Sequence, residues 1–516
     1  MWQRFDYVPM RMRRLVTMVG LSAHRYSMRA WALAAAAAIA GCAPIGPNYK
    51  PPEPPQAERF TESPLAAPRA DTEAGRSQRY APDGEIPADW WDLFRSEALG
   101  KLVRMAIAEN PTLDAARAAL VQAQENLNAE YSVLYPSVDA SAGVRRQRVT
   151  GASFGLPNSP PNLFTLYNAS VNVSYAIDLA GGARRELEAL LSQIDYQRLQ
   201  LEAAYLSLTG NVVTAAVQEA SLRAQIRATR EVEKAQEQIL SMVEKQLELG
   251  AVTRADVLAQ RAQLAQTRAT LPPLEKALAQ TRNALAALVG RFPAGAGLPE
   301  SELAQMELPQ ELPLSLPSEL ARQRPDIRAA EALLRRASAE IGVAEAAKYP
   351  QLTLSAAYGS AATRTANLFG SASTIWNLGA SLLQPIFRAG KLEAQRRAAV
   401  AAYDQALAQY RQTVLGALRN VADVLEALQG DARTLTAQAE TDASARDSLD
   451  LARAQFELGA VSYLVLLNAE RQAHQARIGL TQAQSARFAD TAALYQALGG
   501  GWWHRTENIE KGSVQR

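Results

Sequence analysis

The residue types that carry most protein chemistry are sparse in this chain, and they do not converge. His24, His474 and His504 stand apart from one another, and Cys42 is the single cysteine in 516 residues. A metal site needs ligands grouped at short spacings, and nucleophilic catalysis needs a nucleophile held against a base and an orienting group. No Cys/His cluster, phosphate-cradling loop or nucleophile elbow occurs. Arg324-Pro325-Asp326 sets a base beside an acid, but proline suits the first turn of a helix, and Asp326 with Glu331 suits its positive end. That tripeptide reads as a helix start. The formal charge is +2, from 54 basic and 52 acidic residues with no long basic run. Such a balance lacks the footprint of a nucleic-acid binder. No cofactor or metal is implied, and no enzymatic activity is expected.

Cys42 remains, and its context is one of delivery. Ala30 to Ala40 is an apolar run behind Arg25 and Arg29, ending at Gly41-Cys42. It is shorter than the ~20 residues that span a bilayer and has the form of a secretory signal. Ile39-Ala40-Gly41-Cys42 resembles a bacterial lipobox, so Cys42 is expected to be lipidated and to become the first mature residue. Ala43 takes the place of the aspartate that commonly favours inner-membrane retention. Residues 1–17 are unusual ahead of such a signal, and Met18 or Met28 is an expected alternative start to Met1.

The elements that follow have two periodicities. Residues 42–87, rich in Pro, Ala, Glu and Arg, read as a tether, and Trp90-Trp91-Asp92-Leu93-Phe94 supplies aromatic mass where the chain docks. Short helices are expected over 97–110 and 113–135, the second ended by Pro136. Over 165–179, apolar Ala169, Val171, Val173, Tyr175 and Ile177 alternate with Asn168, Ser170, Asn172 and Ser174, which argues strand. With the run from Ser137 this makes a hairpin, and 352–358 with 375–387 makes a second. A long helix follows each. Leu187, Ile194, Leu201 and Leu208 recur at seven, and a second seam runs through Leu191, Tyr205 and Val212. From Gly182 to Gly250, and from Gly390 to Gly459, each would span ~100 Å. Both end in Leu-Gly-Ala-Val and reverse into return helices, Arg254 to Val289 and Tyr463 to Leu498, with a kink or restart expected at Pro272-Pro273.

These elements are duplicated. Asn110-Pro111 through Tyr135-Pro136 aligns without gaps on Arg324-Pro325 through Tyr349-Pro350, and Leu249-Gly250-Ala251-Val252 on Leu458-Gly459-Ala460-Val461. One copy spans 88–312 and the other 313–503, with a polar tail over 504–516. Within a copy the short and return helices together approach the length of the long one, so they could line it end to end. Two hairpins give four strands and two open edges. Hydrocarbon does not tolerate unpaired backbone, so strands in a membrane must close across chains; two copies would give eight strands with a filled interior, three would give twelve around a channel.

At this point the chain resembles the outer-membrane factors, the TolC-like channels, and within them the lipoprotein efflux branch of OprM/NodT type. The resemblance rests on Trp90-Trp91-x-Leu-Phe94, Leu316-Pro317-Ser318, Arg324-Pro325-Asp326-Ile327 with Glu331, Ile341-Gly342, Tyr349-Pro350, Gln384-Pro385-Ile386-Phe387 with Gly390, and Ala497 to Trp502. It covers residues 42–503 in order. It implies a mainly α fold with a β-barrel portion: a homotrimer whose 12-stranded outer-membrane barrel is continued by a periplasmic α-helical barrel. It further implies a passive conduit, lipid-anchored in the outer membrane, for drugs or other small molecules. Cargo would come from an inner-membrane pump of RND type through a periplasmic membrane-fusion adaptor.

Residue by residue, the resemblance makes Gly250, Val252, Gly459 and Val461 the periplasmic tips that the adaptor grips. An inward constriction falls on Leu464 and Asn468, one helical turn apart. Many relatives carry aspartate where Asn468 stands, so this ring would be neutral. Ala255 and Ala259 occupy the matching positions of the first copy, and Asp256 reads as a capping or solvated charge. Other readings are the exit duct of a type I secretion system, a lipid-anchored coiled-coil scaffold without a pore, and an enzyme acting on envelope polymers, for which no catalytic set is found.

Overall fold

The computed structural model describes residues 44–505, apart from 54, 56, 58, 63–65, 71, 73, 74, 76, 83, 151–154 and 156–159. The expected signal sequence and Cys42 lie outside the described residues. Two short helices open the first copy. In α1 (Glu97–Glu109) the Ser96 hydroxyl accepts from the Leu99 amide at 3.4 Å; in α2 (Pro111–Glu130) Asn110 Oδ1 accepts from Thr112 at 2.8 Å, with Pro111 where no donor is needed. A 3-10 turn over Tyr131–Leu134 then leads to Pro136 and the strands.

Strands β2 (Ser137–Val149) and β3 (Asn162–Ile177) pair antiparallel, and the second copy supplies β5 (Gln351–Ala362) and β6 (Thr374–Leu383). They form one antiparallel sheet in the order β2-β3-β5-β6, so β2 and β6 are its edges. The last strand stops short of the expected Phe387, because Pro385 has no N–H to give a ladder. A separate two-stranded sheet pairs β1 (Arg79–Pro82) with β4 (Glu311–Leu314) in parallel, so part of the expected tether is ordered against the chain.

The long helices are α3 (Gly182–Glu248) and α7 (Lys391–Glu457), each ~100 Å. The return helices are α4 (Arg254–Val289) and α8 (Tyr463–Ala497); α5 (Pro317–Gln323) and α6 (Pro325–Ala346) open the second copy as α1 and α2 open the first. Helices α2 and α4 lie along α3, α6 and α8 lie along α7, and the copies join where α3 meets α6 and α8. Helix α4 runs unbroken across Pro272 and Pro273, against the expected restart. Both prolines are exposed, so water can reach the carbonyls whose donors are missing.

One seam of α3 is as the heptads require, with Leu187, Leu201 and Leu208 buried and Ile194 packed on the core; in the other, Val212 is buried and Tyr205 packs on the core, while Leu191 is 47% exposed. The main core lies at mid-length, where Trp90, Trp91 and Phe94 meet α3 and α8, and Trp90 stacks on Tyr495 at 5.5 Å. Truncating such a buried aromatic costs about 3–5 kcal/mol.

The end-to-end stacking of short helices is built by equivalent residues of the two copies. Asn110 Nδ2 donates to the carbonyl of Leu288 at 2.7 Å, and Arg324 Nη1 donates to that of Ala497 at 2.7 Å. Gly290, at φ +87°, lies so close that a Cβ there would stand 2.3 Å from the Glu109 carbonyl oxygen. The Arg324-Pro325-Asp326 motif is therefore a joint, with Arg324 also paired to Asp326 at 2.7 Å.

Candidate channel elements: sheet, helical tip and anchor clamp

Strand register sorts the sheet into two chemically different faces. Val138, Val173, Ala356 and Leu378 lie in one row across it; Val171 pairs with Tyr358, and Tyr358 with Trp376. This face is apolar, and it is bare: Val138, Tyr358, Trp376, Leu378 and Leu382 are each at least 65% exposed. The opposite face carries Asp139, Ser141, Asn168, Ser170, Asn172, Ser174 and Ser355, and Ser141 meets Ser170 at 3.1 Å. On β3 the apolar face runs from Tyr167 to Ile177, eleven residues, and a membrane strand needs about 9–11. Among the described residues no helix is long and apolar enough to cross a membrane.

At the far end of the long helices, both Leu-Gly-Ala-Val turns close in the same way. Gly250 (φ +76°) and Gly459 (φ +71°) adopt left-handed backbone; Ala251 donates to Gln246 at 2.8 Å and Ala460 to Gln455 at 2.8 Å, which satisfies the last helical carbonyls. Val252 and Val461 turn inward, stapled against a shared cluster that holds Val257 and Leu466. The residues bared at the apex are instead Leu249 and Leu458, 83% and 85% exposed. Asp256 closes a capping box with Thr253, which fits the capping role expected of it. Leu464 and Asn468 are both exposed on one side of α8, while Tyr463, Leu466, Leu467 and Glu470 are buried on the other. The buried Tyr463 hydroxyl bonds to Gln260 Oε1, and Gln260 in turn donates to the Gln236 carbonyl at 3.0 Å. Among the described residues neither oxygen of Glu470 has a hydrogen-bond partner, and burial pushes its carboxyl up to about 7, against a smaller downward pull from Arg453.

A third feature ties the start of the described chain to the base of the sheet. Arg185, 4% exposed on the first turn of α3, donates from Nε to the Ile45 carbonyl at 3.2 Å. Its Nη2 reaches the carbonyls of Pro44 (3.4 Å) and Gly46 (3.3 Å) and Asn48 Oδ1 (2.9 Å), while Glu188 balances its charge at 2.7 Å. Gly46 lies against Gly342 of α6, where a Cβ would meet backbone at 2.5 Å. Further along, fully buried Arg487 of α8 donates to Gln78 Oε1 and to the Pro68 carbonyl. Among the described residues, no grouping of three or more His, Cys, Asp or Glu could hold a metal ion.

A bare apolar sheet face on a duplicated helical rod is what comparison with known proteins explains. The family model described as outer membrane efflux protein matches residues 102–291 and 316–500. The chain belongs to this family. Its two matched stretches correspond to the two copies of the repeat. The chain is 32% identical over 432 residues to the pyoverdine export outer membrane protein OpmQ of Pseudomonas aeruginosa, covering 83% of this chain and 90% of that protein. It is 29% identical to the probable outer membrane lipoprotein SilC of Salmonella typhimurium, over 90% of this chain and 96% of SilC. Among solved structures, the outer-membrane channel OprN superposes with a TM-score of 0.79 at 27% identity, covering 89% of this chain and all of OprN.

This outer membrane efflux protein is thus an outer-membrane channel, the outer component of an efflux system, in a family of channel proteins rather than enzymes. Its sequence indicated the strands, the turns and Arg324, but not Leu249, Leu458, Glu470 or Arg185 as distinct features. A signal existed for Glu470: it falls on the apolar spacing of α8 after Tyr463 and Leu467, where a carboxylate is out of place. For Arg185 there was none, since most of its partners, three of them backbone carbonyls, lie about 140 residues away.

Proposed function

We propose that the efflux protein works as a homotrimeric conduit whose four-stranded sheets close into a 12-stranded barrel in the outer membrane, continued by α3, α4, α7 and α8 as an α-helical barrel in the periplasm. The observation that carries this is the two-faced sheet with open edges β2 and β6. In hydrocarbon each unpaired backbone group costs several kcal/mol, so the thirteen residues of β2 and ten of β6 need partners. Pairing β6 of one copy with β2 of the next removes every edge, turns the apolar face to lipid and the Ser/Asn face to a lumen. The base clamp at Arg185 supports an anchor at Cys42, whose acyl chains would enter the same membrane beside the sheet. Leu249, Gly250, Leu458 and Gly459, with Val252 and Val461 behind them, form the tips for a periplasmic membrane-fusion adaptor. An RND-type inner-membrane pump supplies small molecules, in keeping with the pyoverdine, toluene and cation export in the names of its relatives. Exposure of Leu464 and Asn468 on one face supports a constriction there, narrowed by three copies. Mass measurement of the mature protein in mild detergent should give a trimer. A stable monomer with its full strand signal would overturn the shared barrel.

A further inference from the structure

The sheet has a charge pattern that the chain as a whole does not. Basic and acidic residues are nearly equal in number overall, yet no Asp or Glu occurs between Ala140 and Ile177 or between Gln351 and Gly390. Those same stretches place Arg145, Arg146, Arg148 and Arg364 at the end of the sheet remote from the helices. Register separates the arginines. Arg146 and Arg148 pair with Thr165 and Leu163 on the face of Val144 and Tyr167, the apolar one, whereas Arg145 pairs with Leu166 on the opposite face. Arg146 and Arg148 are exposed, ~7 Å apart as alternate residues of a strand, and neither makes an ion pair with any described residue.

Height places them. From Ile177 to Tyr167 is ten steps of about 3.4 Å, and a strand tilted by about 40° rises ~26 Å over that length, close to the ~25 Å apolar band of an outer-membrane barrel. Arg146 follows at the next residue pair outward, where hydrocarbon gives way to headgroups. We propose that Arg146 and Arg148 form a phosphate-binding rim on the outside of the sheet and dock the phosphorylated headgroup of an outer-leaflet lipid. The planar guanidinium forks match phosphate oxygens in pairs, and the acyl chains below such a headgroup would lie on Val144, Val171 and Tyr358. The absence of carboxylates nearby leaves the two charges uncompensated by the protein itself. This proposal rests on the reading of the sheet as a membrane wall.

The test uses the full-length lipoprotein in phosphatidylcholine vesicles doped with lipid A, either carrying both phosphates or with the phosphates removed. Lipid A retained on the captured protein should favour the phosphorylated form in the wild type. Arg146→Ser with Arg148→Ser should lose that preference by about fivefold per arginine, while Arg145→Ser keeps it. Equal preference in the wild type and the double variant, or an equal loss in Arg145→Ser, would overturn the proposal. Quenching by brominated lipid, compared between wild type and Trp376→Phe, reports separately whether the apolar face lies in the bilayer. No quenching of Trp376 would overturn the membrane wall and the rim together; quenching with unchanged lipid preference would overturn the rim alone.

Discussion

Glu470→Gln should convert a pH-sensitive helical tip into a pH-insensitive one. Glu470 sits 5% exposed on the face of α8 whose Tyr463, Leu466 and Leu467 join the tip cluster with Ile239 and Val243; among the described residues both its oxygens lack a hydrogen-bond partner, and Arg453 lowers its proton affinity. Raising a carboxyl from its ordinary 4.5 to about 7 corresponds to ~3 kcal/mol against ionisation in the packed tip. The direction follows from linkage. Below pH 4.5 the carboxyl is protonated whether the tip is packed or open, and there is no penalty. Between 4.5 and 7 the open tip ionises while the packed one keeps its proton, so packing weakens as pH rises. Above 7 the penalty is complete. Hydrogen exchange of the amides at Ile239, Val243 and Leu467, corrected for intrinsic rates, should therefore speed up by about two decades between pH 4.5 and 7.5 in the wild type. Glu470→Gln removes the ionisation but keeps the shape, and its exchange should change less than threefold over that range. The same pH slope in both proteins would show that Glu470 does not set the packing of the tip.

Three further outcomes test other parts of the structure. Gly250→Ala carries only the ~1 kcal/mol strain of left-handed backbone, since nothing lies within 4 Å, whereas Gly290→Ala adds a collision with the Glu109 carbonyl; chemical denaturation should rank Gly290→Ala as the more destabilising by at least ~1 kcal/mol. In the proposed trimer, Asn468→Asp would bring three carboxylates to the pore axis, each pair repelling by ~3–4 kcal/mol at 4–6 Å in an effective dielectric near 20. Planar-bilayer conductance should become sensitive to magnesium or calcium, and a wild-type response would refute the constriction at Leu464 and Asn468. Cys42→Ala should abolish acylation yet leave most of the protein in the membrane fraction, because the apolar surface of a closed barrel exceeds that of acyl chains worth ~0.8 kcal/mol per CH₂. Complete release as soluble protein would contradict the barrel.

Local rules made much of this architecture legible. Alternation around Val171 and Val173 marked the strands, seven-residue spacing from Leu187 to Leu208 marked the long helix, and the two Leu-Gly-Ala-Val turns marked the reversals. Each is encoded within a few residues of itself. Helix α4 does not restart at Pro272-Pro273, because proline's cost depends on whether its freed carbonyls reach water, and exposure is a tertiary property. At Val252 and Val461 the turn sequence fixes where the chain reverses, but the neighbouring helices decide how far its apolar residues are covered.

Sequence by itself determined the duplication and the element types, because these depend on composition and near-neighbour spacing. Only the tertiary structure decided that Asn110 and Arg324 are equivalent joints, that Arg185 grips the chain at 44–48, that Glu470 lacks a hydrogen-bond partner among the described residues, and that Arg146 and Arg148 share a face with the apolar band. Those facts depend on contacts between segments distant along the chain and on strand register, where a slip of one residue would move every side chain to the other face.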